Sequence, residues 1–391
     1  MAAEAFLAGL AASLYSPKLG ENHNDNQGMW ICDSITAQAV FAAEDQFAKD
    51  YGLVSLFAKS RLNTEGASWD ARWQMSQRQF NAASKPSAEG FVRECFEAAV
   101  GEIEAGAPVL RTEILSASLQ VFLTTMGISP SVPLIAQWMN GCRSLLTRLQ
   151  YRSWVAPEAA EREQLQAECQ AARRQFHSIL QQDEASKNLL SRFAEVGRDI
   201  EDFDPVGELA ILAFGGSETT TASILWCLDI LGRAPEVQSR IRDEILSGDT
   251  DAKYLRCFIQ ETLRRFPVVP IVARKCLDSI DLNGRRFEKG QTLVVSIVGL
   301  HHQADKWQNP EIFDSSRAEF MNKSYDRASF MPFSAGSRAC GGARLAMMEI
   351  EQALRAFLPR FTIHQPAEAV GFNYSLSLAS ATSGTIKLTP R

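Results

Sequence analysis

A single cysteine stands among glycines near the end of the 391-residue chain, just before a helical pattern. Residues 333–342 read Phe-Ser-Ala-Gly-Ser-Arg-Ala-Cys-Gly-Gly, and the helical pattern covers 345–358. Because glycine adopts backbone angles closed to other residues, Gly336 and Gly341 allow a sharp turn and a close approach to a flat ligand. Unpaired N–H groups and the helix dipole favour the thiolate form of Cys340 at such a helix start. The sequence therefore predicts a thiolate that binds a metal.

Five of these residues resemble a known signature. Phe333, Gly336, Arg338, Cys340 and Gly342 match the haem-binding signature of the cytochrome P450 family, in which the cysteine is the axial iron ligand. Five identities at fixed spacing arise by chance on the order of once in ten thousand chains of this length. The resemblance implies haem b (iron protoporphyrin IX) as the cofactor, these five residues as its binding residues and Cys340 as the metal ligand. For the other seven cysteines we prefer the alternative, an ordinary buried thiol.

Composition is that of an ordinary globular protein, with 46% hydrophobic and 22% charged residues. A net charge of −6 argues against a nucleic-acid-binding protein. Because no linker, charge run or repeat divides the chain, we expect one domain over residues 1–391. The cysteines lack disulfide-like spacing, and residues 1–15 lack a basic leader and are too short to cross a bilayer. We therefore expect a cytoplasmic protein without a signal peptide or membrane anchor.

Hydrophobic periodicity predicts a mainly α fold with a smaller β portion. Helical patterns cover residues 35–49, 68–83, 87–105, 158–197, 206–232, 235–247, 251–265 and 343–358. Short strands are predicted at 268–274, 280–282, 285–287 and 292–298 and within 374–388. Asn283-Gly284 is a hairpin turn signal between two of these strands. A helix-rich body with a smaller sheet portion resembles the cytochrome P450 fold, and the resemblance covers the chain from about Trp30 onward.

A second motif, residues 215–220, reads Gly-Gly-Ser-Glu-Thr-Thr inside a long apolar helical pattern. Two adjacent glycines cost such a helix about 1 kcal/mol each relative to alanine. Small residues let a flat cofactor approach, and a loosened helix frees carbonyl groups to bind water. Glu218 and Thr219 resemble the acid–alcohol pair that relays protons in the family, which implies that both are catalytic and that Gly215 contacts the cofactor. The alternative is a helix cap, or a threonine bonded to its own helix.

Glu261 and Arg264 lie three residues apart on a helical pattern and resemble the family's Glu-x-x-Arg pair. Arg317 resembles the third member of that group, although Ser315 and Ser316 stand where relatives usually carry Pro and Glu. On the surface such a pair contributes little stability. In a buried triad, loss of one member would cost roughly 3–5 kcal/mol. We interpret the three residues as structural.

The propionates of a porphyrin require cations at its edge, and guanidinium groups bind carboxylates with two parallel hydrogen bonds. Arg338 and Arg274 are the candidates, since Arg274 follows a segment that reaches a propionate in relatives. Trp69 and Arg72 resemble the family's helix that crosses the haem edge, although its usual basic residue is replaced by Trp73. A plain amphipathic helix is the alternative for this segment.

The resemblance implies a haem-thiolate monooxygenase that inserts one atom of dioxygen into a hydrophobic small organic substrate. The sequence has no Gly-x-Gly-x-x-Gly fingerprint for a flavin or nicotinamide and no iron–sulfur cysteine cluster. We therefore expect a separate ferredoxin, flavodoxin or reductase to donate electrons. The basic patch that would receive an acidic donor comprises Arg72, Arg78, Arg338 and Arg344.

The substrate pocket is expected to be lined by 53–63, 213–214, 268–272 and 377–380, which are apolar or small and favour a terpenoid, fatty acyl or aromatic compound. Two alternatives stay open: a haem-thiolate isomerase or peroxygenase that needs no external electrons, and a non-enzymatic haem sensor. The proton-relay pair argues against the first and the intact pocket against the second. His301 and His302 have no third metal ligand nearby, so we leave them out of the site.

Overall fold

The computed structural model describes residues 2–15, 22–25, 28–104, 110–366 and 371–391. The helices are α1 (Ala2–Ser13), α2 (Ser34–Ala42), α3 (Gly66–Ala83), α4 (Glu89–Glu104), α5 (Leu110–Met126), α6 (Val132–Trp154), α7 (Ala159–Leu180), α8 (Glu184–Val196), α9 (Pro205–Ala213), α10 (Thr219–Arg233), α11 (Pro235–Leu246), α12 (Lys253–Arg265), α13 (Ile297–Leu300), α14 (Ala318–Met321) and α15 (Ala343–Arg360). The strands are β1 (His23–Asp25), β2 (Gly28–Ile31), β3 (Phe47–Lys49), β4 (Ile271–Cys276), β5 (Ile280–Leu282), β6 (Arg285–Phe287), β7 (Thr292–Ser296), β8 (Phe361–His364), β9 (Phe372–Tyr374), β10 (Leu378–Ser380) and β11 (Lys387–Pro390). The mainly α fold with a smaller β portion is confirmed.

The chain divides into two compact units. The first unit comprises Met1–Phe6, Tyr51–Thr221 and Arg344–Glu349. The second unit comprises Leu7–Asp50, Ala222–Ala343 and Ile350–Arg391. The single domain expected over residues 1–391 stays a prediction.

In the first unit, α5 packs against α3, α4, α6 and α9. Its buried side chains, which include Ile114, Leu119 and Phe122, cover most of the helix and leave one narrow polar side that includes Glu113 and Gln120. A helix that is buried over most of its surface has only a weak one-sided periodicity. This is why the predicted helical patterns omit α5. They also omit α1 and α6, and α6 carries Pro133 in its first turn and Gly141 in its interior.

The second unit contains a five-stranded sheet in the order β1-β2-β7-β4-β3, in which β2 and β7 are parallel and the other neighbours antiparallel. The helix predicted over 35–49 is wrong beyond Ala42, because residues 47–49 form β3 and pair with β4. Phe47 is buried and its ring lies 5.9 Å from that of Phe287, so tertiary packing overrides the local helical pattern.

Other predicted elements are confirmed with corrections. The pattern over 158–197 is two helices, because the Asp183 side chain accepts a hydrogen bond from Ser186 N at 2.7 Å and begins α8. Asn283 and Gly284, at φ +52° and +72°, form the turn between β5 and β6. Position 105, the predicted end of another helix, lies outside the described residues.

Glu261 is fully buried in the second unit and binds two guanidinium groups. Its Oε2 accepts hydrogen bonds from Arg264 Nε and Arg317 Nε, each at 2.7 Å. Its Oε1 accepts from Arg264 Nη2 at 2.9 Å and from Asp314 N at 3.0 Å. Arg264 also donates from Nη1 to His301 O at 2.7 Å. The predicted triad is therefore buried and joins α12 to the segment before α14.

The residues around Cys340 form a turn that requires glycine at one position. Gly336 has φ +73°, and a Cβ atom there would lie 2.6 Å from the backbone oxygen of Phe41. Cys340 N donates to Phe333 O at 2.9 Å, which closes the loop in front of α15. The sharp turn expected at Gly336 is confirmed.

We predict that Glu261→Ala lowers the free energy of unfolding by roughly 3–5 kcal/mol, because two arginines would stay buried without their carboxylate. Chemical denaturation measures this. Glu184→Ala is the matched control: Glu184 pairs with Lys187 at the same i,i+3 spacing but on the surface, and its loss should cost less than about 0.5 kcal/mol. Equal losses in the two variants would show that burial of the triad does not stabilise the fold.

We predict that Gly336→Ala lowers the free energy of unfolding by about 2–4 kcal/mol, from left-handed strain plus the collision with Phe41 O. Gly290→Ala is the control, since Gly290 has φ +80° but no heavy atom within 4 Å of an added Cβ. It should lose only about 1 kcal/mol. Similar losses at both positions in denaturation curves would contradict the close approach to Phe41.

Candidate functional site

Cys340 differs from every other cysteine of the chain in its exposure. It is exposed on the loop before α15, whereas the other seven cysteines are buried. Burial raises the pKa of the Cys95, Cys142, Cys227 and Cys257 thiols to about 12, so these groups stay protonated at neutral pH. A cysteine must be deprotonated to bind a metal. Cys340 is thus the cysteine that is placed to act as a ligand.

Helix α15 starts directly after residues 333–342, which contain Cys340 and are called the cysteine loop below. Its N-cap residue is Gly342, which has no side chain that could accept hydrogen bonds from the first N–H groups of the helix. Unsatisfied N–H groups at a helix start attract negative charge. This arrangement agrees with the environment that the sequence predicts for a thiolate.

Arg338 belongs to the same loop, two residues before Cys340, and is mostly buried. Its Nε is 3.5 Å from Glu44 Oε2, and its side chain is only 13% exposed. Ser337 Oγ donates to the same carboxylate. Phe333 is half-buried in the loop. Arg338 is therefore a weak candidate for a docking surface, although it stays next to the cysteine.

Arg274 of β4 is buried in the same unit as Cys340. Its guanidinium lies over the Phe41 ring at 5.3 Å, and its Nη1 donates to Ala273 O at 3.0 Å. Phe41 also contacts the cysteine loop, since its backbone oxygen lies against Gly336. Phe41 therefore joins Arg274 to the loop that presents Cys340.

Arg72 of α3 is in a different setting from the one expected. Its Nη1 is 2.6 Å from Glu208 Oε2, and both side chains are 0% exposed. Its guanidinium also lies 4.7 Å from the centre of the Phe203 ring. Because protein atoms cover the side chain completely, it offers no surface to a cofactor edge or to another protein. Both roles expected for Arg72 are wrong, whereas the haem-edge role of Trp69, which is buried beside Trp73, stays a prediction.

The glycine pair produces a π-helical turn, Phe214–Glu218, between α9 and α10. Such turns are rare and frequently mark functional sites. Gly215 is exposed, and a Cβ atom there would have only Leu62 Cδ1 as a neighbour, at 3.9 Å. Thr219 Oγ1 donates to Gly215 O at 2.7 Å. The predicted loosening of the helix is confirmed. The hydroxyl of Thr219 bonds to its own helix, as the alternative interpretation of this motif predicts.

Glu218 binds two arginines that the sequence did not indicate. Arg111 Nη2 donates to its Oε2 at 2.6 Å, and Arg143 Nη1 donates to its Oε1 at 2.5 Å. The carboxylate is buried, while the arginine side chains are 25% and 30% exposed. These partners lie 107 and 75 residues away, so no local spacing reveals them.

The expected pocket-lining residues separate into two groups. Leu62 and Val269 are each 39% exposed and can contact a ligand. Ala213 and Phe214 are buried instead, and the Phe214 ring packs 5.9 Å from Phe57 inside the first unit. The expectation that Ala213 and Phe214 line a pocket is wrong.

The residues present fit a haem group. A single thiolate suffices as a protein ligand because the porphyrin supplies four nitrogen ligands. Within the described ranges, no cluster of three or more His, Cys, Asp or Glu could hold a metal ion by itself. The exposed Cys340 and the buried Arg274 of the same unit supply a ligand and a cation.

Among the helices of the described residues, none combines the length and apolar composition needed to cross a bilayer.

Comparisons with known proteins agree with this chemistry. Residues 158–389 match the family model described as Cytochrome P450. Cytochrome P450 4A24 of Sus scrofa is 40% identical over 187 residues, which are 45% of this chain and 37% of the relative. Leukotriene-B4 omega-hydroxylase 3 of Mus musculus is 35% identical over 184 residues, 43% of this chain and 35% of the relative. The chain thus spans little more than a third of the length of these relatives.

Solved structures show the same fold over nearly the whole chain. A six-coordinated cytochrome P450 from Thermus thermophilus has a TM-score of 0.71 and 21% identity, and the match covers 93% of this chain and 92% of the other. A zebra fish cytochrome P450 determined with abiraterone has a TM-score of 0.74 and 19% identity, and the match covers 99% and 98% of the two chains. Because the family model matches more than half of the chain, this protein belongs to the cytochrome P450 family of haem proteins.

Proposed function

We propose that this chain is a haem-thiolate monooxygenase that inserts one atom of dioxygen into a hydrophobic small organic substrate. The observation that carries the proposal is the exposed Cys340, held in the loop that the family signature describes. When bound, haem with a thiolate ligand supplies the oxidation chemistry, because the thiolate pushes electron density that favours O–O cleavage. The chain itself binds the haem, orients the substrate and delivers protons.

The second unit provides the cofactor contacts in this proposal. Cys340 would hold the iron through its sulfur, and the Gly336 turn shapes the loop that carries it. Arg274, which lies over Phe41, and Arg338, in the loop itself, would supply cations for the propionates. Gly342 places no side chain on the first N–H groups of α15, and the positive end of the helix dipole favours a thiolate there.

Thr219 orders a water molecule for proton delivery. Its hydroxyl hydrogen is committed to Gly215 O, so its oxygen accepts a hydrogen bond from water. Gly215 has no side chain, which leaves this face of the helix open to a ligand. Proton transfer from a positioned group, here the water that Thr219 holds, contributes roughly 10²–10⁴-fold to a rate.

Glu218 has a more restricted role than a carboxylate at a pocket edge. Its two oxygens are bound to Arg111 and Arg143, so it can accept or release a proton only after one ion pair opens. Because both arginines are partly exposed, water can replace Glu218 as their partner. Glu218 then supplies protons from solvent, while Thr219 positions them.

The substrate proposed is a fatty acyl compound. Two residues expected to line the pocket are exposed and apolar, Leu62 in the first unit and Val269 in the second. One relative is named a leukotriene-B4 omega-hydroxylase, and the substrate in that name is a lipid with a long hydrocarbon chain. This class is narrower than the terpenoid, fatty acyl or aromatic compounds that the sequence favours.

A separate ferredoxin, flavodoxin or reductase supplies electrons in this proposal. Of the four arginines expected to form the docking patch, Arg78 and Arg344 are exposed and can contact an acidic donor. The cytoplasmic location stays a prediction based on the cysteine pattern.

We predict that Cys340→Ser abolishes the red-shifted Soret band of the reduced carbon monoxide complex, because no other exposed thiol is present in the described ranges. Cys276→Ala is the control, since Cys276 is buried in the same unit and should leave the band unchanged. Persistence of the band in Cys340→Ser would remove Cys340 as the ligand.

We predict that Thr219→Ala keeps the haem spectrum and the substrate-induced spectral shift but loses coupling. Product per electron should fall and hydrogen peroxide should rise, because the water that delivers protons is no longer held. Product, reductant and peroxide are measured together with a reductase system.

Thr220→Ala is the matched control for this prediction. Thr220 Oγ1 also donates to the carbonyl four residues earlier, Gly216 O at 3.0 Å, but Thr220 is buried. It should retain coupling. If Thr219→Ala forms product as efficiently as the parent, the relay is wrong, and turnover without any reductant favours an isomerase or peroxygenase.

A further inference from the structure

His301 is fully buried and makes two directed hydrogen bonds through its ring. Its Nδ1 lies 3.0 Å from Arg264 O, and its Nε2 lies 2.9 Å from Met331 N. A carbonyl oxygen can only accept a hydrogen bond, and a backbone N–H can only donate one. The tautomer is therefore fixed: Nδ1 carries the hydrogen and donates, and Nε2 accepts.

The same residue is bonded a second time to Arg264. Arg264 Nη1 donates to His301 O at 2.7 Å, so His301 both receives a bond from the guanidinium and donates one to the Arg264 carbonyl. Arg264 is in turn held by Glu261, which also holds Arg317. His301 is thus attached firmly to the buried triad.

Met331 leads from His301 into the cysteine loop. Met331 is buried, and its carbonyl accepts a hydrogen bond from Ser334 N at 3.0 Å. The next bond along the loop joins Cys340 N to Phe333 O at 2.9 Å. These hydrogen bonds, joined by the chain at Met331 and at Phe333-Ser334, connect the triad through His301 to Cys340. All of these residues belong to the second unit.

We propose that His301 is a positioning residue for Cys340, which it holds through its acceptor bond to Met331 N–H. The proposal rests on Cys340 being the haem ligand and is independent of the reaction that the haem performs. The triad fixes α12, and His301 transfers that fixed position to the start of the cysteine loop. Without the bond, the loop would keep its glycine turn but lose its anchor to the triad.

The charge state of the ring agrees with this role. Burial, together with the charge of the nearby Arg264 and against the effect of the backbone hydrogen bonds, lowers the pKa of His301 to about 3. The imidazole is therefore neutral at physiological pH and keeps Nε2 as an acceptor.

His302 provides a matched control in the adjacent position. It is also buried, its Nδ1 lies 2.7 Å from Val298 O, and its Nε2 contacts Arg265 Nη1. Burial lowers its pKa to about 2, so it is neutral as well. Neither of these ring bonds reaches the cysteine loop.

The test compares two conservative substitutions of His301 in the haem-loaded protein. His301→Gln can keep an acceptor towards Met331 N–H, whereas His301→Asn is too short to reach it and can keep only the donor towards Arg264 O. We expect the thiolate band of the reduced carbon monoxide complex to decay about tenfold faster in His301→Asn than in the parent, as for the loss of one hydrogen bond of about 1.4 kcal/mol. His301→Gln should decay nearly as slowly as the parent. His302→Asn should lower the thermal midpoint measured by circular dichroism without accelerating the decay.

The proposal is overturned if the thiolate band decays at the same rate in His301→Asn as in His302→Asn. It is also overturned if the band decays at the same rate in His301→Asn as in His301→Gln. If neither His301 variant folds, hydrogen exchange of the parent decides: the Met331 amide should be protected at least about tenfold more than the Ser337 amide, as expected for one hydrogen bond, and equal exchange overturns the proposal. A parent protein without a thiolate band refutes Cys340 as ligand, and the protection of the Met331 amide then tests the hydrogen bond separately.

Discussion

The buried carboxylate of Glu261 is the interaction on which the second unit depends. It accepts four hydrogen bonds, three from two guanidinium groups and one from a backbone N–H. A buried arginine without a partner is costly, so each guanidinium also donates to backbone carbonyls in the segments that surround it. The ion triad thereby fixes irregular chain between α13 and α14, which has few regular hydrogen bonds of its own. The cysteine loop begins from this same region, so the position of a metal ligand depends on a charge cluster that is distant in sequence.

Features that depend on local spacing could be predicted from the sequence. Glu261 and Arg264 are three residues apart, so one helix places both on the same face whatever the rest of the fold does. The adjacent glycines at 215 and 216 weaken a helix locally, and the π-helical turn forms there. Gly336 takes a positive φ that other residues avoid. In each case the backbone chemistry of a few consecutive residues determines the outcome.

Features that depend on distant partners could not be predicted. The sequence predicts an acid at Glu218, but its two arginine partners come from α5 and α6, and no residue near Glu218 in the sequence indicates them. Arg72 stands beside the position where relatives carry a basic residue, yet Glu208, 136 residues away, draws its guanidinium into the interior. No helical pattern is predicted at α5 for a different reason, since its buried residues cover most of the helix and leave only a narrow polar side. Long-range pairing and extensive burial both weaken the signal that local periodicity provides.

The buried carboxylates of this chain differ because their partners differ. Glu349 is buried without an arginine partner among the described residues, and burial raises its pKa well above the ordinary value. Glu261 and Glu218 each bind two arginines, and by composition alone the two sites look the same. The arginine side chains at Glu261 are 0% and 3% exposed, so no water can take the place of the carboxylate and the cluster is permanent. Those at Glu218 are 25% and 30% exposed, so water can compete for them. The same ion-pair chemistry is therefore closed to solvent at Glu261 and open to it at Glu218, and the proton exchange proposed for Glu218 depends on that access.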